Sequence, residues 1–412
     1  MQPLPGFRDF LPDDCAFRNA LFAGWREVCR RYSFLEWDGP LLEPTELFQK
    51  KSGPEIVGQL FNFTDKGGRE VALRPELTPS LARVVAAHER EFRKPLKWFS
   101  IPQCFRYEKQ QRGRLREHYQ LNCDLIGDDS LGAEVELIAL AIDLLRGFGL
   151  TATDFVVRLS DRAFWTELLR TQDVPEENWT ELLQVIDKSE REPREKTATR
   201  LGAIAGPVFE VLEGGGRSEK LEQLVQQLAQ RGLADFVQVD LTIVRGLAYY
   251  TGVVFEVFDR AGELRAIAGG GRYDNLIAQL SDGAVSLPAA GFAMGDVVLG
   301  ELIRAVPAAL TRLTESVRRE SALDLYLVIA KEERRPMAMQ QLRELRDAGW
   351  RVDYPLGPAK VGKQFQTAES LGAKAALLYG DEWPQLKLKV LATGGQELLA
   401  AEDLKEHLAR LL

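Results

Sequence analysis

The sequence predicts an α+β amino-terminal region that is interrupted by a helical insertion and followed by a smaller α/β domain. Two aromatic and β-branched segments with strand character, residues 71–77 and 98–107, flank a stretch with helical periodicity. Residues 161–235 are rich in Glu and Leu and do not alternate with period two, which indicates helices. Beyond residue 321, apolar runs alternate with helical segments, a pattern typical of βαβ units on a mostly parallel sheet.

The amino-terminal region begins with a predicted helix. Pro12 and the carboxylates after it are typical of a helix start, and apolar residues then recur at helical spacing through Leu21, Trp25 and Val28. A second strong helix is predicted over residues 133–148. Strand character returns after the insertion, in residues 237–243, 253–258 and 265–267.

Composition limits the possible classes of protein. The 412 residues carry a formal net charge of −8, which argues against a general nucleic-acid binder. The basic surplus lies between Arg93 and Arg116 and residues 321–412 are balanced, so an RNA could still dock at that loop. The cysteines form no C-x-x-C pair, so neither a zinc site nor a disulfide framework is expected. With no apolar signal core or membrane-length run, we expect a cytoplasmic protein without membrane contact.

The run Phe105-Arg106-Tyr107-Glu108 closes a strand and leads into a basic loop with Arg112, Arg114 and Arg116 at alternate positions. Guanidinium groups with this spacing can converge on one polyphosphate or nucleic-acid strand. A solvated surface hairpin is the alternative, and composition alone favours it.

The strand that returns from this loop carries Gln120, Asn122 and Asp124 on one face, because side chains alternate along a strand. Opposite Arg106, they would form a polar floor for a zwitterionic ligand. An antiparallel strand with a solvated outer face is the simpler explanation.

Two later segments combine tyrosines with glycines. Tyr249 and Tyr250 stand in tandem, and three glycines precede the run Arg272-Tyr273-Asp274. Glycine permits close approach of the backbone to a ligand, and tyrosine offers both a ring face and a hydroxyl. A glycine triplet without G-x-G-x-x-G spacing is a weak nucleotide signal, and a β-bulge or turn explains it equally well.

Glu76 lies between Pro75 and Pro79, which restrict the backbone and fix the direction of the carboxylate. A fixed carboxylate suits an ammonium group. The same residues also form an ordinary helix start, with Thr78 as N-cap. Both interpretations can hold together.

These segments resemble the histidyl-tRNA synthetases, a family of class II aminoacyl-tRNA synthetases. The likeness runs from Gly6 to the carboxyl terminus. The matching segments are Glu43-Pro44 (the motif 1 dimer segment), 105–124 (motif 2), 245–250 and 270–274 (the histidine signatures), 291–295 (the start of motif 3) and 364–368 (an anticodon-domain helix).

The resemblance implies an α+β class II catalytic domain, with an antiparallel sheet flanked by helices, a helical insertion and a carboxyl-terminal α/β anticodon-binding domain. The expected boundaries are 1–160 and 236–308 for the catalytic domain, 161–235 for the insertion, 309–321 for a linker and 322–412 for the anticodon-binding domain.

The resemblance also implies the ligands of each site residue. The amino group of histidine would be held by Glu76, Thr78, Gln120 and Asp124, with Leu77 in the same segment. The imidazole would be enclosed by Tyr249, Tyr250 and Tyr273.

ATP would bind Arg106, Glu108, Arg114 and Arg245, accompanied by Mg²⁺ on the phosphates. Arg106 would hold the α-phosphate and Arg245 would stabilise the charge that develops there, and losing such a donor typically costs about 10²–10³ in rate. Lys109 and Gln111 would meet the acceptor end of tRNA-His.

The chain departs from the family pattern in two places. Ala248 replaces the aspartate of the usual Arg-Gly-Leu-Asp-Tyr-Tyr. Motif 3 normally continues Leu-Glu-Arg, whose arginine clamps the ATP γ-phosphate, whereas this chain has Asp296-Val297-Val298. Similar forms from plant organelles and some bacteria share this loss. One hypothesis is that Arg112, Arg114 or Arg116 substitutes for the missing arginine.

The resemblance thus implies a homodimeric histidine–tRNA ligase that uses L-histidine, ATP and tRNA-His. The alternative is the regulatory subunit of ATP phosphoribosyltransferase, a histidine-sensing relative without catalysis. That relative lacks the anticodon-binding domain and tends to lose the phosphate-binding arginines. This chain retains a carboxyl-terminal α/β domain together with Arg106 and Arg245, and only the motif 3 loss favours the alternative.

Overall fold

The computed structural model describes residues 2–52, 54–107, 113–189, 192–244 and 249–411. The chain divides into two compact units, residues 1–313 and 314–412. The predicted classes, α+β for the first and α/β for the second, are confirmed. In the described ranges, no helix combines the length and apolar character needed to cross a bilayer.

The larger unit contains the following elements. Its strands are β1 (Leu35–Glu36), β2 (Leu42–Pro44), β3 (Asn62–Thr64), β4 (Glu70–Leu73), β5 (Leu96–Ser100), β6 (Gln103–Phe105), β7 (Glu117–Ile126), β8 (Phe155–Asp161), β9 (Val237–Val239), β10 (Val253–Asp259), β11 (Ala268–Arg272) and β12 (Ala289–Gly295). Its helices are α1 (Pro12–Arg31), α2 (Thr45–Ser52), α3 (Thr78–Ala87), α4 (Leu131–Gly147), α5 (Arg162–Thr171), α6 (Trp179–Asp187), α7 (Arg194–Leu201), α8 (Ala205–Glu210), α9 (Glu219–Gln230), α10 (Leu276–Leu280), α11 (Asp296–Ala305) and α12 (Pro307–Ser321), which contains the unit boundary.

A large sheet organises the first unit. Among the described residues its strand order is β1-β5-β7-β12-β11-β10-β8-β9, with β6 also paired to β7. The pairs are antiparallel except β1 with β5 and β8 with β9. Strands β2, β4 and β3 form a separate small sheet. The described residues between β8 and β9 form helices and no strand, as the absence of period-two alternation predicts.

Helices α1 and α4 lie against one face of the large sheet. Leu121 and Cys123 of β7 are fully buried there, and the Cys123 Sγ lies 3.7 Å from the Sγ of Cys29 in α1. Because side chains alternate along β7, Gln120, Asn122 and Asp124 must point to the opposite face. The apolar packing of α1 and α4 therefore leaves the polar face available for a site.

A buried ion pair fastens α4 to β11. The Arg272 guanidinium donates to both carboxylate oxygens of Glu134 at 2.7 and 2.6 Å, and to the carbonyl oxygen of Asp128 at 3.1 Å. Both side chains are almost completely buried. Since Arg272 points to α4, its neighbour Tyr273 points to the other face of the sheet.

The smaller unit contains the mixed sheet β14-β13-β15-β16-β17. The first three strands are parallel and the last two are antiparallel, so the predicted parallel βαβ core is extended by a hairpin that the sequence interpretation omitted. The strands are β13 (Leu325–Ile329), β14 (Val352–Asp353), β15 (Ala375–Tyr379), β16 (Gln385–Val390) and β17 (Gln396–Ala400), and the helices are α13 (Arg335–Asp347), α14 (Val361–Ser370) and α15 (Leu404–Leu411).

We expect Glu134→Ala to lower the free energy of unfolding by about 3–5 kcal/mol, because it removes the buried carboxylate that accepts two hydrogen bonds from Arg272. Among the described residues, the more exposed Asp274 at 3.1 Å is then the remaining carboxylate partner of the buried Arg272 charge. The matched control is Glu167→Ala, which removes an exposed pair with Arg170 and should cost less than about 1 kcal/mol. Urea unfolding of the full chain, followed by circular dichroism, compares the two variants. Equal losses for both would contradict the role assigned to the ion pair.

Candidate active site

A cavity of about 960 Å³ opens on the face of the large sheet opposite α1. Gln120, Asn122 and Asp124 all line it, so the polar floor predicted from strand alternation is present. A cavity of this volume suits a small molecule or a nucleotide.

Glycines in β11 and β12 provide the space above this floor. Gly291 pairs with Asp124, and a Cβ built on Gly291 would lie 2.1 Å from the Asp124 Oδ1. A Cβ on Gly271 would lie 2.6 Å from the carbonyl oxygen of Val253. The bulge or turn considered for the glycine triplet is wrong, because Ala268 to Gly271 pair regularly with both β10 and β12.

The carboxylate of Asp124 is buried at one end of the cavity. The Tyr273 hydroxyl donates a hydrogen bond to its Oδ1. Burial raises the pKa of Asp124 to about 7, although that hydrogen bond and the charge of Lys51 both oppose the rise. Burial also raises the pKa of Tyr273 well above its ordinary value, so the tyrosine remains a proton donor at neutral pH. Asp124 can therefore accept a hydrogen bond from a ligand ammonium or imidazole N–H once it is ionised.

Three tyrosines form a wall beside Asp124. The ring centroids of Tyr249 and Tyr250 are 4.5 Å apart, and those of Tyr249 and Tyr273 are 6.1 Å apart in an edge arrangement. All three residues line the cavity. Tilted and edge-on rings of this kind suit a flat heteroaromatic group.

A buried lysine connects this wall to the second carboxylate. The Lys51 Nζ lies 2.5 Å from the Glu76 Oε2 and 4.2 Å from the centroid of the Tyr249 ring. The Lys51 side chain is only 2% exposed. Burial alone would raise the pKa of Glu76, but the charges of Lys51 and Arg106 outweigh it and lower the pKa below its usual value. Glu76 is therefore an anion at neutral pH.

Arg106 lies near Glu76 and is held by the backbone. Its Nε donates to the carbonyl oxygen of Pro75 at 3.0 Å. His118 lines the same cavity, and burial together with the charges of Arg106 and Arg8 lowers its pKa to about 3. The His118 imidazole is consequently neutral near pH 7, and Arg106 supplies the positive charge here.

The helix that follows Glu76 begins one residue earlier than predicted. Thr78 is the first residue of α3 and Leu77 is its N-cap, whereas the sequence interpretation made Thr78 the cap. Thr78 lines the cavity. Leu77 is not among the lining residues, and its side chain is buried in the protein.

Asp296, in the altered motif 3 segment, has a structural partner. Its carboxylate accepts from the Arg8 Nη1 at 2.9 Å and from the backbone N–H of Tyr119 at 2.9 Å. Arg8 also contacts Glu117 at 3.2 Å. Asp296 thus links the amino-terminal segment and β7 to the start of α11.

The basic loop is only partly described. Arg114 lines the cavity, whereas Arg116 is not among the lining residues and lies over the Tyr107 ring at 4.2 Å. The remaining predicted residues of this loop and of the tyrosine segment lie outside the described residues, namely Glu108, Lys109, Gln111, Arg112 and Arg245.

Sequence reasoning missed Lys51, His118 and Arg265, which contact or line the site. Lys51 follows another lysine on a short helix, and such pairs are usually solvated. The signal for His118 was present, because it shares the strand face of Gln120 and Asp124. Among the described residues, no group of three or more His, Cys, Asp or Glu could hold a metal ion.

Comparison with known proteins identifies the family of this chain. The family model described as histidyl-tRNA synthetase matches residues 6–296, and the model described as anticodon binding domain matches residues 324–411. A histidine–tRNA ligase of Opitutus terrae is 45% identical, covering 95% of this chain and 94% of the relative. The chloroplastic/mitochondrial histidine–tRNA ligase of Arabidopsis thaliana is 40% identical, covering 98% and 86%.

A solved structure shares the fold across both units. The histidyl-tRNA synthetase of a Nostoc species superposes with a TM-score of 0.78 at 22% identity, covering 100% of this chain and 99% of that one. The family models, the two relatives and this fold agree along nearly the whole chain. The chain belongs to the histidyl-tRNA synthetase family.

Proposed function

We propose that this chain activates L-histidine with ATP to form histidyl-adenylate and transfers the histidyl group to tRNA-His. The observation that carries the proposal is the order in which negatively and positively charged side chains follow one another along one cavity. The buried Asp124, the partly exposed Glu76 and three tyrosines lie at one end, and Arg106 lies next to Glu76. This order suits an amino acid whose carboxylate must face a phosphate.

Histidine would bind at the carboxylate end. Its ammonium group would be held by Glu76 and Asp124, assisted by Thr78 and Gln120. Its imidazole would lie against Tyr249, Tyr250 and Tyr273. The fixed, ionised Glu76 and the Tyr273–Asp124 hydrogen bond support this orientation.

In the first step a carboxylate oxygen of histidine attacks the α-phosphorus of MgATP. The new bond joins that oxygen to phosphorus, and the bond to the β-phosphate oxygen breaks, so that pyrophosphate leaves. Arg106 would orient the α-phosphate, and Arg245 would stabilise the charge that develops on it during the attack. Fixed guanidinium groups lower the barrier because they need not reorganise during the reaction.

In the second step the activated carbonyl passes to the terminal ribose of tRNA-His, and AMP leaves. We assign the acceptor end to Lys109 and Gln111, and a nucleotide contact to Glu108. We assign the anticodon to residues 322–412 and retain the other predicted boundaries: 1–160 and 236–308 catalytic, 161–235 insertion and 309–321 linker. A cytoplasmic homodimer completes the proposal, by analogy with the family.

Purified protein should catalyse histidine-dependent ATP–pyrophosphate exchange and charge tRNA-His. Arg106→Ala should lower the exchange rate by about 10²–10³, because it removes a charge donor from the α-phosphate. Arg69→Ala is the control, since that side chain is 79% exposed and outside the cavity. Exchange without charging would indicate a tRNA-independent activating enzyme, and neither reaction would favour the histidine-sensing regulatory subunit.

Histidine affinity should depend on the ionisation of Asp124. Because the pKa of Asp124 is raised to about 7, its carboxyl group is protonated below that pH, and this proton competes with histidine. Above that pH the group is ionised and free to bind histidine. The ratio of the histidine Kd of Asp124→Asn to that of the parent should therefore rise roughly tenfold from pH 6 to pH 8. Calorimetric titration measures the histidine Kd of the variant and of the parent at each pH. Because free histidine titrates in the same way in both experiments, its contribution cancels in the ratio. A ratio independent of pH is incompatible with the raised pKa.

Lys51→Ala should weaken histidine binding by about 10- to 100-fold, since it removes the buried partner of Glu76 and the cation over Tyr249. Lys50→Ala is the matched control: the side chain adjoins Lys51 in the same helix but is 35% exposed, and its Kd should change less than about twofold. The double variant Lys51→Ala, Glu76→Gln should bind no more weakly than Glu76→Gln alone, because the two residues act as one unit. Additive losses would show that Lys51 acts elsewhere.

A further inference from the structure

The hairpin between β10 and β11 brings an arginine to the cavity. The Asp259 carboxylate accepts from the backbone N–H groups of Glu263 and Leu264 at 2.9 and 3.0 Å. The Arg260 Nε donates to the carbonyl oxygen of Ala152 at 2.7 Å. These bonds anchor the turn, and Arg265 within it lines the cavity. Arg265 is therefore carried by a fixed hairpin.

This hairpin reaches the end of the cavity that is remote from Asp124. Asp124 pairs with Gly291, and Gln120 pairs with Gly295, four residues further along both strands. Four residues of a strand span about 13 Å. The backbone N–H of Gly295 bonds to the carbonyl oxygen of Ile267, two residues beyond Arg265. Arg265 therefore lies beyond Gln120, where the distal part of an extended substrate would reach.

Arg265 and Val298 flank the same point. A Cβ built on Gly113 would lie 3.4 Å from the Val298 Cγ2 and 3.8 Å from the Arg265 Cδ. Val298 occupies the position at which the family pattern has its motif 3 arginine. The aliphatic part of the Arg265 side chain therefore lies close to Val298, where the family pattern has an arginine.

The other arginines near the cavity hold different positions. Arg106 is bonded to the Pro75 carbonyl beside Glu76, and Arg8 is bonded to Asp296 and Glu117. Among the described residues that line the cavity, the remaining arginines are Arg114 and Arg265. Arg114 belongs to the partly described basic loop, whereas Arg265 stands on the hairpin that Asp259 and Arg260 anchor. A cation on an anchored segment is the better clamp, because less conformational freedom is lost on binding.

We propose that Arg265 binds the terminal phosphate of MgATP and replaces, from a neighbouring hairpin, the arginine that Val298 displaces. The inference rests on the proposed function for the identity of the nucleotide. The guanidinium group of Arg265 has several N–H donors. It can therefore bind phosphate oxygens even while one of its N–H groups contacts the protein.

The test compares nucleotides that differ in the terminal phosphates. Equilibrium binding of MgATP to Arg265→Ala should weaken about 10- to 100-fold, while AMP and histidine bind within about twofold of the parent. Exchange assays should show the same rise in the KM for ATP. Adding Val298→Arg to Arg265→Ala should restore most of the loss. Arg217→Ala, an 83% exposed side chain outside the cavity, is the control.

The outcomes separate this inference from the proposed function. Unchanged MgATP binding in Arg265→Ala would overturn it, as would equal losses for MgATP and AMP. A loss seen only in Arg114→Ala would assign the role to the basic loop instead. If the parent performs no exchange, the proposed function fails, but the comparison of MgATP with AMP still tests Arg265. Unchanged histidine binding shows that the variant remains folded.

Discussion

The burial of the Asp124 carboxylate in the middle of the large sheet constrains everything around it. A carboxylate without water must be compensated, and here the Tyr273 hydroxyl and the nearby charge of Lys51 do so. It also needs space, which is why the paired residue on the next strand is Gly291. One acidic side chain thus dictates a tyrosine, a lysine and a glycine from three separate segments.

These requirements give the cavity a polarity. The anionic end, with Asp124 and the ionised Glu76, attracts an ammonium group. Arg106 follows, and Arg265 lies about 13 Å or more beyond Asp124 along the strands. An amino acid and a triphosphate can occupy such a cavity in one order only, because reversing them would oppose like charges. The chain's net charge of −8 does not conflict with this, since recognition depends on where the cations lie.

Local patterns predicted much of this arrangement. Alternation along β7 was sufficient to place Gln120 and Asp124 together, because a strand permits only two faces. The hairpin of β16 and β17 was also detectable, since Leu386 and Leu388 alternate with polar residues. By contrast, nothing local distinguishes Lys51 from Lys50. Their different burial arises from how α2 packs against distant segments, and a contact of that kind has no sequence period.

The relation between Arg265 and Val298 extends this argument from folding to chemistry. A phosphate responds to the position and geometry of a cation, and the segment that carries the cation is immaterial. Because the β10–β11 hairpin and the start of α11 meet at one point, either can present a guanidinium there. Motif 3 taken by itself therefore shows only that its arginine has been replaced by Val298. The three-dimensional site keeps its charge, and for that reason the valine in motif 3 is compatible with an active enzyme.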